Sequence, residues 1–190
     1  MKDVLKQYQE LVKMAKDYFE HNVLELLKNI DYCFKDNVNL AGLILFCSAI
    51  DIMAWLSRDQ LDSDATRNDF VRWVNEFMLP GSGLACTAEE LYSARCNIIH
   101  SYAPEWGTGV NRRERETRKI IFVWVKGRGE IPQSHVNKQT EKNKTVFVYT
   151  DELVNSLKTA IERFNGSLSF SRALSELVYE RSEKYFNFIS

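Results

Sequence analysis

The run from Leu40 to Leu56, LAGLILFCSAIDIMAWL, is apolar on nearly every side of the helix it would form. A segment of that kind has no face to offer to water, so either other parts of the chain or a bilayer must surround it. Its length falls below the roughly 20 residues of a membrane span, and Ser48 and Asp51 lie near its middle. The run therefore predicts a central helix enclosed by a bundle, with no membrane partner. Asp51 is its one charged group, and a carboxylate buried without a partner is expensive. Arg95 and His100 are the two candidates to reach it.

The enclosing helices are written in three- and four-residue apolar steps. From Val4 to Ile30 the steps run Val4, Tyr8, Leu11, Ala15, Tyr18, then Val23, Leu26, Leu27 and Ile30, a long amphipathic helix broken by Asp36-Asn37. After RDQLDSD, Phe70, Val71, Trp73, Val74 and Phe77 mark the inner face of a third helix, which Pro80, Gly81 and Gly83 stop. Thr87-x-x-Glu90 fits a capping box, in which each side chain satisfies the other residue's free backbone N–H. The fourth helix, opened by that box, presents Leu91, Ala94, Ile98 and Tyr102 inward and ends before Pro104, which disfavours helical geometry at Ala103.

The pattern then changes. KIIFVWVKG and TVFVY are β-branched and aromatic and read as the two strands of a hairpin, with the polar RGEIPQSHVNKQTEKNK between them. TDELVNSLKTAIERF resumes helix behind a Thr-Asp cap, with Leu153, Leu157, Ala160, Ile161 and Phe164 inward. Asn165-Gly166 separates it from a last helix, SRALSELVYERSEKYFNFI. The expected fold is mainly α: one domain over residues 1–190, a helical bundle of about five to six helices with a β-hairpin inserted at about 118–149.

Composition narrows the function classes. Hydrophobic content of 45% with 27% charged residues is that of a globular protein rather than a disordered one. The charged, amphipathic N-terminus has no apolar signal region, and four cysteines (Cys33, Cys47, Cys86, Cys96) show no CxxC pairing, so a reduced, cytoplasmic protein is expected. Cys96 and His100 lack a second pair of ligands, so neither a metal nor another cofactor is expected. Net charge is only -1, yet between Asn111 and Lys144 ten basic side chains face four acidic ones, a local +6 on a body of -7. That basic insertion, at about 111–149, suits contact with a polyanion.

One stretch carries chemistry. In LYSARCNIIHSY, Arg95 and His100 lie five residues apart, about 140° of helical rotation. His100 falls in the last turn, where carbonyl dipoles favour its protonated form. His21 and His135 read as a helix-surface and a loop residue. RNA carries its own nucleophile, the 2′-hydroxyl, so cleavage requires a base to take its proton and a cation to neutralise the phosphorane. An imidazole suits the first task and a guanidinium the second.

These residues resemble the motif helix of HEPN domains (higher eukaryotes and prokaryotes nucleotide-binding): Arg, four to six residues, then His, near the end of a helix in an all-α bundle. LILFCSAIDIMAWL also resembles helices of that family. The resemblance implies a metal-independent endoribonuclease acting as a homodimer through the motif helix, in a microbial defence or toxin–antitoxin system with an antitoxin or other partner protein. The alternative it offers is a non-catalytic nucleic-acid-binding or assembly module. It assigns Arg95 and His100 as catalytic. Asp51, Asn97, Ser101 and Tyr102 stand as supporting candidates, and Arg112, Arg113, Arg115, Arg118 and Lys119 as RNA-binding ones. Where the family often has a polar residue after the arginine, this chain has Cys96, with Asn97 one step later.

Overall fold

The computed structural model describes residues 2–58, 65–101, 119–125 and 143–185. The first amphipathic stretch forms α1 (Lys2–Lys35), whose buried stripe is Ala15, Phe19, Val23, Leu27, Ile30 and Phe34. Asn37 ends it in the left-handed region (φ 62), where an asparagine is tolerated. The Val38 N–H then donates back to the Cys33 carbonyl at 2.8 Å and the Asn37 N–H to Phe34 at 3.4 Å, the paired bonds of a Schellman stop.

The apolar run forms α2 (Asn39–Leu56), with Gly42, Leu43, Phe46, Cys47, Ala49, Ile50, Met53, Ala54 and Leu56 buried. It packs on α1, on α3 (Arg67–Trp73) and on α4 (Ala88–Ser101). By length and composition alone α2 qualifies as a membrane span, and half of it is buried inside the bundle. At Gly42 the backbone comes so close to Phe34 that an added Cβ would sit 3.1 Å from the ring. The absent side chain is what lets the first two helices meet there.

The third helix departs from the expected single run. Thr66 caps it by accepting from the Asp69 N–H while Asp69 accepts from the Thr66 N–H, a second capping box. At Val74 the helix widens into a π-turn, Val74–Met78, closed by the Leu79 N–H on the Val74 carbonyl at 2.9 Å. The turn carries Phe77 to the ring of Phe164 (5.4 Å, edge-on), which also meets Phe19 of α1 at 5.7 Å. Phe164 belongs to α5 (Thr150–Leu168), and α6 (Arg172–Tyr185) follows after a three-residue link, 169–171.

The described residues thus form a mainly α bundle of six helices, with β1 (Lys119–Val125) and β2 (Asn143–Tyr149) inserted between α4 and α5. Three expectations need correction. The strands do not form a hairpin: they pair in parallel, Lys119 opposite Asn143 through Val125 opposite Tyr149. Hairpin loops run two to five residues, whereas seventeen residues, 126–142, separate these strands, enough for the dozen or more that a parallel return needs. Nor does Asn165-Gly166 end the fifth helix, which runs through both to Leu168. Phe164 and Leu168, both fully buried, hold the last turn on the core against the glycine's cost. Its cap differs too: Tyr149 precedes it with no side-chain bond, and the Thr150 hydroxyl donates instead to the Val125 carbonyl of β1 at 3.4 Å.

The far end of α2 is closed by arginines. Arg181 of α6, 1% exposed, donates through Nη1 to the carbonyls of Trp55 (2.9 Å) and Leu56 (2.8 Å) and lies over the Trp55 ring. Arg72 donates to the Ser57 carbonyl at 3.1 Å, and buried Arg58 pairs with Asp69 at 3.2 Å. Cations there offset the negative end of the helix dipole. Replacing Arg181 with Met removes two charge-assisted bonds and strands buried carbonyls, at about 2–4 kcal/mol. Thermal unfolding followed by circular dichroism is expected to show Tm falling by on the order of 10 °C.

Candidate functional site

The expected Thr87–Glu90 box is present: the Thr87 N–H donates to Glu90 Oε2 at 2.9 Å and the Glu90 N–H to Thr87 Oγ1 at 3.1 Å. From that fixed start, burial of Ala88, Leu91, Ala94 and Ile98 sets the rotation of α4. Arg95, next to Ala94, therefore emerges along the seam with α2. There its Nε and Nη2 donate to one oxygen of Asp51, Oδ2, at 3.0 and 2.7 Å. The carboxylate that α2 had to satisfy is answered by the arginine of the motif.

The pair is neither dry nor free. Side-chain exposures of 21% for Arg95 and 28% for Asp51 leave one flank open to solvent. Burial pushes the Asp51 carboxyl above its ordinary range, against the pull of the Arg95 hydrogen bond and charge. Burial, the largest single influence, would loosen the Arg95 proton, but the hydrogen bond and charge of Asp51, joined by those of Cys96, together outweigh it and hold the guanidinium more firmly charged. Because a guanidinium keeps its charge throughout the working pH range, Asp51 sets the pH response.

A guanidinium has five N–H donors. Asp51 takes the side edge formed by Nε and Nη2, and Nη1 is not part of that contact. The outer edge, Nη1 with the second Nη2 hydrogen, is the fork that matches two phosphate oxygens. Beside it stands Tyr92, its ring 5.9 Å from the Arg95 guanidinium carbon and braced edge-on by Phe70 at 5.3 Å. Burial, then the neighbouring Cys96 thiol, raises the Tyr92 phenol. Cys47, one turn before Asp51, is buried, and burial and then the Asp51 charge push its thiol far up, out of reactive range.

The other sequence candidates fare unevenly. Asn97 turns its amide onto its own helix, Nδ2 donating to the Ser93 carbonyl at 2.9 Å. His100 and Ser101 are placed as the last two residues of α4, and their side chains lie outside the described residues. Tyr102, Arg112, Arg113, Arg115, Arg118 and His135 also lie outside them, while Lys119 is the first residue of β1. His21 sits exposed on α1. Arg67, at the start of α3, escaped sequence reasoning although it reaches Tyr92 at 5.9 Å. The Thr66-x-x-Asp69 spacing was the signal that places it. Among the described residues no three His, Cys, Asp or Glu side chains gather as metal ligands. A cleft of about 240 Å³ between the ends of α1 and α5, lined by Asp31, Phe34, Lys35, Asp151, Val154 and Asn155, includes none of these candidates.

Asp51 separates the charge of the pair from its hydrogen bonds. Its folded-state affinity for a proton exceeds that of the unfolded chain, so its contribution to stability is full below the unfolded pKa and is lost as pH rises through the folded one. Asp51→Asn keeps an acceptor and removes that titration. It is expected to stay within about 1 kcal/mol of the parent at pH 7 and to gain on it as pH rises from 4 to 7 in urea unfolding. Asp51→Ala, which leaves the guanidinium without an acceptor, is expected to cost ~2 kcal/mol. Asp31 and Asp69 are held below their ordinary values, but they titrate alike in all three proteins and cancel in the differences.

No family model, curated protein or solved structure matches this chain.

Proposed function

We propose that the chain is a HEPN-like, metal-independent endoribonuclease of the cytoplasm, active as a homodimer in a microbial defence or toxin–antitoxin system. One observation supports this reading above the others: Arg95 is held by Asp51 on its side edge, which keeps its phosphate-matching edge out of that contact. The guanidinium is thereby pre-positioned, five residues before His100 on a helix whose start is pinned by a capping box. In the reaction the His100 imidazole takes the proton of a 2′-hydroxyl. The freed oxygen attacks the adjacent phosphorus, Arg95 stabilises the charge on the phosphorane oxygens, and the 5′-oxygen leaves with a proton from a protonated His100 of the second copy. The products are a 2′,3′-cyclic phosphate and a 5′-hydroxyl. DNA, lacking the nucleophile, is inert.

A second reading, an RNA-binding or assembly module without catalysis, draws on two observations. Asp51 offsets the charge of Arg95, and the Asn97 amide is committed to the backbone of α4. Incubation of purified protein with single-stranded RNA in EDTA separates the two. The nuclease reading expects cleavage that survives chelation and drops about 10²–10⁴-fold in His100→Ala and about 10²–10³-fold in Arg95→Ala. RNA that is bound but never cut gives the function to the second reading. Undiminished cleavage by His100→Ala rules out the assigned roles.

A further inference from the structure

Tyr92 carries two guanidinium groups: Arg95 from its own helix and Arg67 from the first position of α3, each with its central carbon 5.9 Å from the ring centroid. Gathering two like charges on one ring costs Coulomb repulsion, in part offset by attraction to the ring face. The carboxylate at this place, Asp51, bonds Arg95. Arg67 is exposed and has no ion pair among the described residues. Its backbone is nonetheless well fixed, because the Thr66–Asp69 capping box sets the first turn of α3 and buried Phe70 anchors the next. Among the described residues the cluster therefore holds one positive charge without a paired carboxylate, on a side chain whose base is rigid and whose head is open to solvent.

Given the RNA-directed reading above, on which this rests, we propose that Arg67 is a second phosphate-contacting residue of the same site. It supplies the net positive charge that Asp51 removes from Arg95. The two cationic centres lie no further apart than twice the ring distance, a span that nearby phosphates of one RNA strand bridge. Arg95 then addresses the phosphate to be cleaved or held, and Arg67 a neighbouring one, with the Tyr92 ring keeping both guanidinia oriented.

The test is binding of a fluorescein-labelled single-stranded RNA to the full chain, measured by anisotropy across a range of salt concentrations. Arg67→Ala is expected to weaken binding about 5–10-fold at low salt. It should also flatten the plot of log affinity against log salt by about 0.7, the share of one single-strand phosphate contact. Arg67→Lys keeps the charge and is expected to restore the slope. Lys28→Ala, the loss of an exposed cation on α1, is expected to leave affinity within about twofold of the parent. Affinity and slope unchanged in Arg67→Ala overturn the assignment and leave the RNA reading standing, as does a slope that Arg67→Lys fails to restore. Absence of RNA binding by the parent protein overturns both.

Discussion

A helix without a polar side cannot be left facing water, and α2 is such a helix. Enclosing it is the demand that organises the bundle: α1, α3 and α4 cover its length, and Arg181 arrives from α6 to cap its last carbonyls. Gly42 shows how tightly this is met, since the α1–α2 contact has room for a hydrogen where other residues carry a Cβ. The aromatic chain from Phe19 through Phe164 and Phe77 to Trp73 ties α1, α5 and the π-turn together. The π-turn is thus a packing device as well as an irregularity.

Asp51 is the exception built into that apolar helix, and it joins fold to site. A carboxylate there obliges some cation to stand at the α2–α4 seam, and the register of α4 makes that cation Arg95. One contact thereby offsets part of a burial penalty and fixes the direction of a guanidinium. The arrangement has a chemical side effect: a neutralised arginine is a better oriented donor than a source of field. Tyr92, touched by both Arg95 and Arg67, is where the two arginines converge.

Features ruled by near neighbours in the chain were legible in the sequence. Periodicity placed α1, the apolar run placed α2, and the Thr87–Glu90 spacing placed the start of α4; the cost of a lone carboxylate singled out Asp51 but left its partner open between Arg95 and His100. Features ruled by distant partners were not. Strand direction is a property of two segments and the link between them, so KIIFVWV and TVFVY were visible as strands while their parallel pairing was not. Asn165-Gly166 looked like a stop because local propensity says so, but burial of Phe164 and Leu168 overrides it. Arg181 and Arg67 act on residues 126 and 25 positions away, and no spacing rule reaches that far. The basic stretch before β1, on which the RNA-binding candidates rest, stands outside the described residues and owes its interest to charge alone.

The direction of the strand pair also bears on synthesis of the chain. β1 lacks its partner until Tyr149 has been added, which at ordinary ribosomal speeds takes roughly one to five seconds after Val125. For that interval an apolar, β-prone heptapeptide is without its neighbour strand, and the helix that β2 leads into, α5, is itself unfinished. Lysines and arginines crowd the sequence around this segment, and charges of that kind disfavour the pairing of exposed strand edges.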